Sequence, residues 1–342
     1  MRAETFAGLG ALRELYLAQN KIGELEPNTF VHTPRLRLLN LSSNRIRTFK
    51  KQAFAGLSDL ERLDLSFNRL ERVVPDAFYQ MGRLRQLDLS SNELRTVSTD
   101  SFASLFALDK LYLSYNQIEQ LDTNVFFYLK QLRTLDLGFN RIRSFVPLAF
   151  NGLGQLDELC MARNRLGPRL EPGAFRYLDR LRVLNLYENE LEALDDADAF
   201  SGLHGLEELD LNGNRVAALA PHAFRHLTKL RTLNLSLNRL GELRSDAFTD
   251  LACLEELYLY NNAIERIEPH TFYMLSRLRV LHLVHNRLER LDAPELFSGL
   301  NSLEELNVSS NRIERIEARV FTPLLRLKKL HLEQNRLTHV GE

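Results

Sequence analysis

Few residues in this chain have the type and spacing that catalysis or metal binding requires. The nine histidines are scattered. His282 and His331 share one outward column of the repeat described below, but two turns separate them, about 10 Å at the spacing of neighbouring strands. One metal ion cannot bind both directly at that distance. Asp64 and Asp88 stack on neighbouring turns, which costs energy unless a counter-charge intervenes; Arg62 is the expected neutraliser, with a calcium site as the alternative. Cys160 replaces an outward-facing residue and Cys253 precedes Leu254 on a loop, in different registers about four turns apart at the period of the repeat. A disulfide within one chain is therefore not expected, and both read as free, incidental thiols. There is no G-x-S-x-G, no H-E-x-x-H, no phosphate-cradling glycine loop and no cysteine quartet with zinc spacing. The expectation is a protein with no catalytic residues, no metal site and no cofactor.

What the chain has instead is a period. The phrase L-x-x-L-x-L-x-x-N-x-L-x-x-L recurs with asparagines at Asn20, Asn44, Asn68, Asn92, Asn116, Asn140, Asn164, Asn189, Asn214, Asn238, Asn262, Asn286, Asn311 and Asn335, stepping by 24 residues with three steps of 25. No break in register marks a domain boundary, so residues 1–342 read as one domain of about fourteen turns rather than the two or three that length alone suggests. In L-x-L, alternation of period two turns leucines inward and their neighbours outward, the pattern of a short half-buried strand. One strand per turn stacks into a parallel sheet. The buried asparagine amide can bond backbone groups that the sheet leaves unpaired, in its own turn and the next. Pro27, Pro75, Pro147, Pro221 and Pro269 each follow an asparagine by seven residues, where the outer wall must be extended or turning. A column of phenylalanines from Phe6 and Phe30 to Phe297 and Phe321 forms a spine shared between turns, because one turn alone cannot offset the entropy of ordering its backbone.

The phrase resembles the leucine-rich repeat family, in its typical extracellular class with a phenylalanine-bearing 24-residue unit, and the resemblance covers essentially the whole chain. It implies a right-handed leucine-rich repeat solenoid, a horseshoe with a concave parallel β-sheet of about 14 short strands and a convex side of loops, turns and short helical or extended segments. It also implies a non-enzymatic recognition or adhesion module like the ectodomain repeats of Toll-type receptors and chaoptin-like proteins, with a protein or glycolipid partner and an extracellular or cell-surface location. Family members of that class carry cysteine-rich caps; this chain has none. Met1 and Val340 fall at one register position, which suggests a segment of a longer protein or one that shields its ends by association.

Charge adds a second, longer period. Seven residues before each asparagine, Arg37, Glu61, Arg85, Asp109, Arg133, Asp157, Arg182, Glu207, Arg231, Glu255, Arg279, Glu304 and Lys328 alternate in sign, so that stacked strands meet opposite charges. The net charge of −1 argues against nucleic acid or anionic lipid as partner. No apolar run is long enough to span a membrane. Sequons at Asn40, Asn234 and Asn307 offer N-glycosylation on the concave face, although serine is common at that repeat position anyway. Between the latter two sequons lies one candidate ligand-binding cluster, Tyr258, Tyr260, His282 and Val284. A second, Phe67, Tyr112, Tyr115 and Phe139, lies beside Asp64, Asp88 and Asp136. Aromatics on a rigid sheet are the anchors protein interfaces use, though tyrosine also simply suits strands. The rival readings are a repeat scaffold with no ligand of its own and a non-catalytic regulatory subunit.

Overall fold

The computed structural model describes residues 1–338, so Val340 lies outside the described residues. Two compact units result: residues 1–165 with 177–180, and residues 166–176 with the chain from Leu181 onward. In the first unit the L-x-L segments form seven parallel strands, Glu14–Tyr16, Leu38–Asn40, Arg62–Asp64, Gln86–Asp88, Lys110–Tyr112, Thr134–Asp136 and Glu158–Cys160. The second unit has seven more: Val183–Asn185, Glu208–Asp210, Thr232–Asn234, Glu256–Tyr258, Val280–His282, Glu305–Asn307 and Lys329–His331. Pairing never slips. Leu39 faces Leu63, which faces Leu87, and Leu233, Leu257 and Leu281 do the same. A one-residue slip would turn every leucine to solvent, so burial of that column fixes the register.

The asparagine ladder is the second fixed element. Asn116 Nδ2 donates to the carbonyls of Leu89 (2.9 Å) and Leu113 (3.0 Å), while its Oδ1 accepts the N–H of Leu94 (2.9 Å). The bonds outside its own turn therefore go to the preceding turn, not the following one. Asn44, Asn68, Asn140 and, in the second unit, Asn238 and Asn286 repeat the pattern. The residue just before the asparagine takes a left-handed backbone: Ser43, Phe67, Ser91, Tyr115, Phe139, Leu237, Asn261 and His285 all have positive φ. That reversal carries the chain away from the sheet and costs a non-glycine residue about 1–2 kcal/mol, offset by the ladder it permits.

Opposite the sheet, the phenylalanine spine is buried. Phe30 and Phe54 stack at 6.1 Å, Phe126 and Phe150 at 6.4 Å, and Phe224 and Phe248 at 6.3 Å. Two-residue strands such as Glu24–Leu25 with Thr48–Phe49, and Glu242–Leu243 with Arg266–Ile267, pair on this side. The short helical segments expected there reduce, among the described residues, to two 3₁₀ turns, Ala3–Phe6 and Thr99–Ser101. The reason is local: Asn28, Gln52, Asp76, Asn124, His222 and His270 adopt positive φ eight residues after an asparagine, which an α-helix cannot continue through. Close stacking also demands glycine. A Cβ on Gly152 would lie 2.6 Å from the Phe127 carbonyl oxygen, and one on Gly299 only 2.1 Å from that of Tyr273.

Candidate functional site

The outward face of each sheet is a set of columns that the stacking brings into contact. In the second unit, Tyr258 pairs in register with His282, and His282 with Asn307. The Tyr258 and His282 rings meet edge to face at 5.3 Å. Tyr258 Oη donates to Glu256 Oε2 (2.8 Å), and His282 Nε2 lies 3.1 Å from Glu305 Oε1, while Lys329 Nζ donates to the other oxygen, Glu305 Oε2, at 2.8 Å. Burial, then the hydrogen bond to Glu256, pushes the Tyr258 phenol up to about 12. The Lys329 bond, ahead of the others, holds the Glu305 carboxyl below its usual range. Tyr260 lies along the stack: its Oη accepts from Asn212 Nδ2 two turns earlier (3.0 Å). Val284 sits on the turn next to Tyr260, bonded through its carbonyl to Asn261 N–H. These four residues do share one surface, and all are half-buried rather than fully exposed. Each is already partnered or packed, so the surface is pre-ordered.

The first unit treats its predicted cluster differently. Tyr115 and Phe139 stack face to face at 4.1 Å, and the Arg163 guanidinium covers Phe139 at 5.1 Å. They occupy the left-handed position at the strand ends, so the stack lies along an edge of the sheet. Tyr112 is in the sheet itself, in register between Asp88 and Asp136; burial and then the Asp88 charge raise its phenol above the ordinary value. Phe67 stands apart, 63% exposed, with Ser91 on the turn between it and Tyr115.

Among the described residues, no ion pair joins Arg62 to Asp64 or Asp88, which corrects the expected neutralisation. Each aspartate is satisfied locally. Asp64 Oδ1 accepts the Ser66 N–H (2.9 Å) and hydroxyl (2.6 Å), and Asp88 Oδ1 accepts the same groups of Ser90. A serine two residues on is closer than any arginine one column away. Burial remains the larger influence on Asp88 and raises its carboxyl above the usual range. No group of three metal-ligating side chains occurs among the described residues.

The same two-residue turn explains the sequons. Asn40 Oδ1 accepts the Ser42 N–H and hydroxyl, Asn307 those of Ser309, and Asn234 the N–H of Ser236. Side chains of this type close such turns by bonding the backbone two residues on, so Ser42 and Ser309 have a structural reason independent of sugars, whereas the buried Ser236 hydroxyl finds no partner among the described residues.

The alternating charges pair as stacking requires, though often on one side only. Arg182–Glu207 (2.9 Å), Arg231–Glu255 (2.6 Å) and Arg279–Glu304 (3.2 Å) each join two turns, and Arg133 reaches both Asp109 and Asp157. The sequence reading overlooked Tyr16. It shares a column with Tyr112 and flanks a hollow of about 170 Å³ lined also by Asn40, Arg62, Asp64 and Asp88. It overlooked Tyr79, Phe127 and Tyr273 too, exposed on the far side; the signal was a large residue directly after a spine phenylalanine. Of the two cysteines, Cys253 is a free thiol, and Cys160 occupies its outward strand position, half-buried.

The leucine-rich repeat model matches residues 1–46, 34–94, 59–118, 106–166, 169–216, 195–240, 228–288 and 291–337. The chain belongs to the leucine-rich repeat family. No functionally curated sequence matches it. Among solved structures, a leucine-rich repeat protein of Leptospira interrogans is similar over 98% of this chain and 81% of its own, with 28% identity and a TM-score of 0.81. The leucine-rich ectodomain of the Arabidopsis thaliana membrane receptor kinase GASSHO1/SCHENGEN3, solved in complex with Casparian strip integrity factor 2, is similar over 95% of this chain but only 38% of its own (25% identity, TM-score 0.66). The leucine-rich repeats of FLRT2, in a complex with Latrophilin 3 and Unc5D, align over 74% of this chain and 76% of theirs (27% identity, TM-score 0.64). The family and its fold are typically protein-interaction modules without catalytic activity, and no helix among the described residues is long and apolar enough to cross a membrane.

Proposed function

We propose that this leucine-rich repeat chain is a non-enzymatic recognition module of a secreted or cell-surface protein, and that it holds a protein or peptide partner on the sheet face of the second unit. The observation that carries this reading is the pre-ordered Tyr258–His282 edge contact, with Tyr260 pinned to Asn212 beside it. Aromatic side chains held rigid by their neighbours lose little entropy on binding and make effective anchors. The ectodomain structures above, each of which engages proteins or a peptide, support both the partner class and the extracellular location.

The test is a panel of purified extracellular proteins and peptides probed with the chain and with its Tyr258→Ala/Tyr260→Ala variant. The expected result is a binder retained by the parent chain and weakened at least about tenfold by the double substitution, or roughly 1.4 kcal/mol, with the variant still folded at the assay temperature. A specific binder held equally by both proteins would refute the placement. Expression through a secretory pathway addresses location: a mass shift abolished by substituting Asn40, Asn234 and Asn307 supports it.

A further inference from the structure

Alternation in the column seven residues before each asparagine cancels charge, but the column two residues earlier does not. Together the two columns read Lys229-Leu230-Arg231, Arg277-Leu278-Arg279 and Arg326-Leu327-Lys328 on every second turn. The turns between contribute Cys253-Leu254-Glu255 and Ser302-Leu303-Glu304. Over the five turns from Lys229 to Lys328, six cations thus face two carboxylates along one edge of the second unit's sheet. Both carboxylates are already committed, Glu255 to Arg231 (2.6 Å) and Glu304 to Arg279 (3.2 Å) and Lys328 (2.8 Å). Lys229, Arg277 and Arg326 make no ion pair among the described residues; the polar contact of Arg277 is an N–H donated to Cys253 Sγ at 3.8 Å. Counting the next column adds Glu256 and Glu305 against Lys329, and the edge stays positive. In the first unit the equivalent Arg83 is instead answered within its own column by Asp59, at 2.8 Å. The exposed arginines line a groove of about 320 Å³ together with Glu255, Ser302 and Glu304; the arginines are Arg231, Arg277, Arg279 and Arg326.

We propose that this edge binds a linear sulfated polysaccharide, at a site separate from the aromatic surface. Basic pairs on alternate turns recur at twice the strand spacing, about 10 Å, a length of the order of two sugar rings. A chain whose sulfates repeat with each disaccharide presents its anions at that interval, and Arg277 and Arg326 offer planar forks to sulfate oxygens. Nucleic-acid phosphates lie much closer together, at about 3.4 Å of rise per strand, so about two of every three would meet no basic pair. The mildly acidic whole chain hides this edge because its positive excess is local.

The experiment is a titration of the chain with a size-defined heparin hexasaccharide and with the corresponding disaccharide across a salt series. The hexasaccharide is expected to bind at least about tenfold more tightly than the disaccharide. Arg277→Gln with Arg326→Gln should weaken it at least about tenfold and reduce the salt slope by about 1.5, as two fewer counterions' worth of charge are neutralised. Both side chains are exposed, so the thermal midpoint should not move; Arg290→Gln with Arg315→Gln, an equal charge loss on another flank, should leave binding within about twofold. Tyr258→Ala/Tyr260→Ala should bind the hexasaccharide as the parent does, which separates this site from the aromatic one. The proposal is overturned by absence of binding, by equal affinity of the Arg277/Arg326 variant, or by a single-stranded oligonucleotide of equal charge binding as tightly.

Discussion

Replacing Asn116 by alanine tests whether the asparagine ladder holds the turns together. The side chain is buried and donates through Nδ2 to the carbonyls of Leu89, Leu113 and Ser114, while Oδ1 accepts the Leu94 N–H. The losses are unequal. Leu89 O keeps a donor in Asn92 Nδ2 (3.1 Å), Leu113 O keeps Asn140 Nδ2 (3.0 Å), and Ser114 O keeps the Ser91 N–H (2.8 Å). Only the Leu94 N–H is left buried without a partner, at about 1–3 kcal/mol, and the shared donor bonds add roughly 1–2 kcal/mol more. The expected cost is therefore about 2–5 kcal/mol, read from urea denaturation. Amide hydrogen exchange at Leu94 gives a local measure that survives if the repeats do not unfold as one unit. Asn20→Ala is the internal control: Asn20 is exposed and bonds only Leu17 O and Ala18 O of its own turn. It should cost under about 1 kcal/mol. Asn116→Asp sharpens the test, because it keeps the acceptor for Leu94 but turns an oxygen toward three carbonyls. If Asn116→Ala costs no more than Asn20→Ala, or if aspartate is as stable as asparagine, the ladder is not the clamp described.

Phe126→Ala, which empties a fully buried spine position stacked on Phe102 and Phe150, should cost about 3–5 kcal/mol. Phe67→Gly should be neutral or mildly stabilising in the same denaturation assay, since Phe67 is exposed and its φ of 51° suits glycine. In an ultraviolet titration Tyr258 should still be protonated where ordinary tyrosines have ionised, and Glu256→Gln should bring its phenol back down. A phenol raised in the folded state stabilises fully below the unfolded value near 10, and that contribution is lost as pH rises toward about 12. Asp88 follows the same sign at acid pH: its carboxyl is raised by burial, so ionisation above the unfolded value disfavours the fold. Asp88→Asn should therefore raise the thermal midpoint at neutral pH, with the gain shrinking as pH falls below the carboxylate range; an equal gain at every pH would contradict the role given to charge.

Much of the solenoid was legible in the chain because each turn repeats one burial problem. Leucines at fixed offsets can be buried together in only one register, and a polar asparagine among them is tolerable only where unpaired backbone groups wait for it. The aromatic surfaces were legible in part. Tyr258 and His282 share a column and meet, whereas Phe67 and Tyr115 share one and do not, since a serine turn lies between them.

The sequence by itself determined the period, the leucine core, the phenylalanine spine and the alternation of charge, all consequences of local spacing. Only the tertiary structure decided which outward groups touch. Asp64 takes its bonds from Ser66 and not from Arg62, because a turn two residues long brings a hydroxyl nearer than a neighbouring column can bring a guanidinium. Tyr115 and Phe139 stack at a strand end because the ladder forces that position into a left-handed backbone. And a chain of near-zero net charge carries a positive edge at Arg277 and Arg326, because stacking sums charges column by column while composition sums them over the whole.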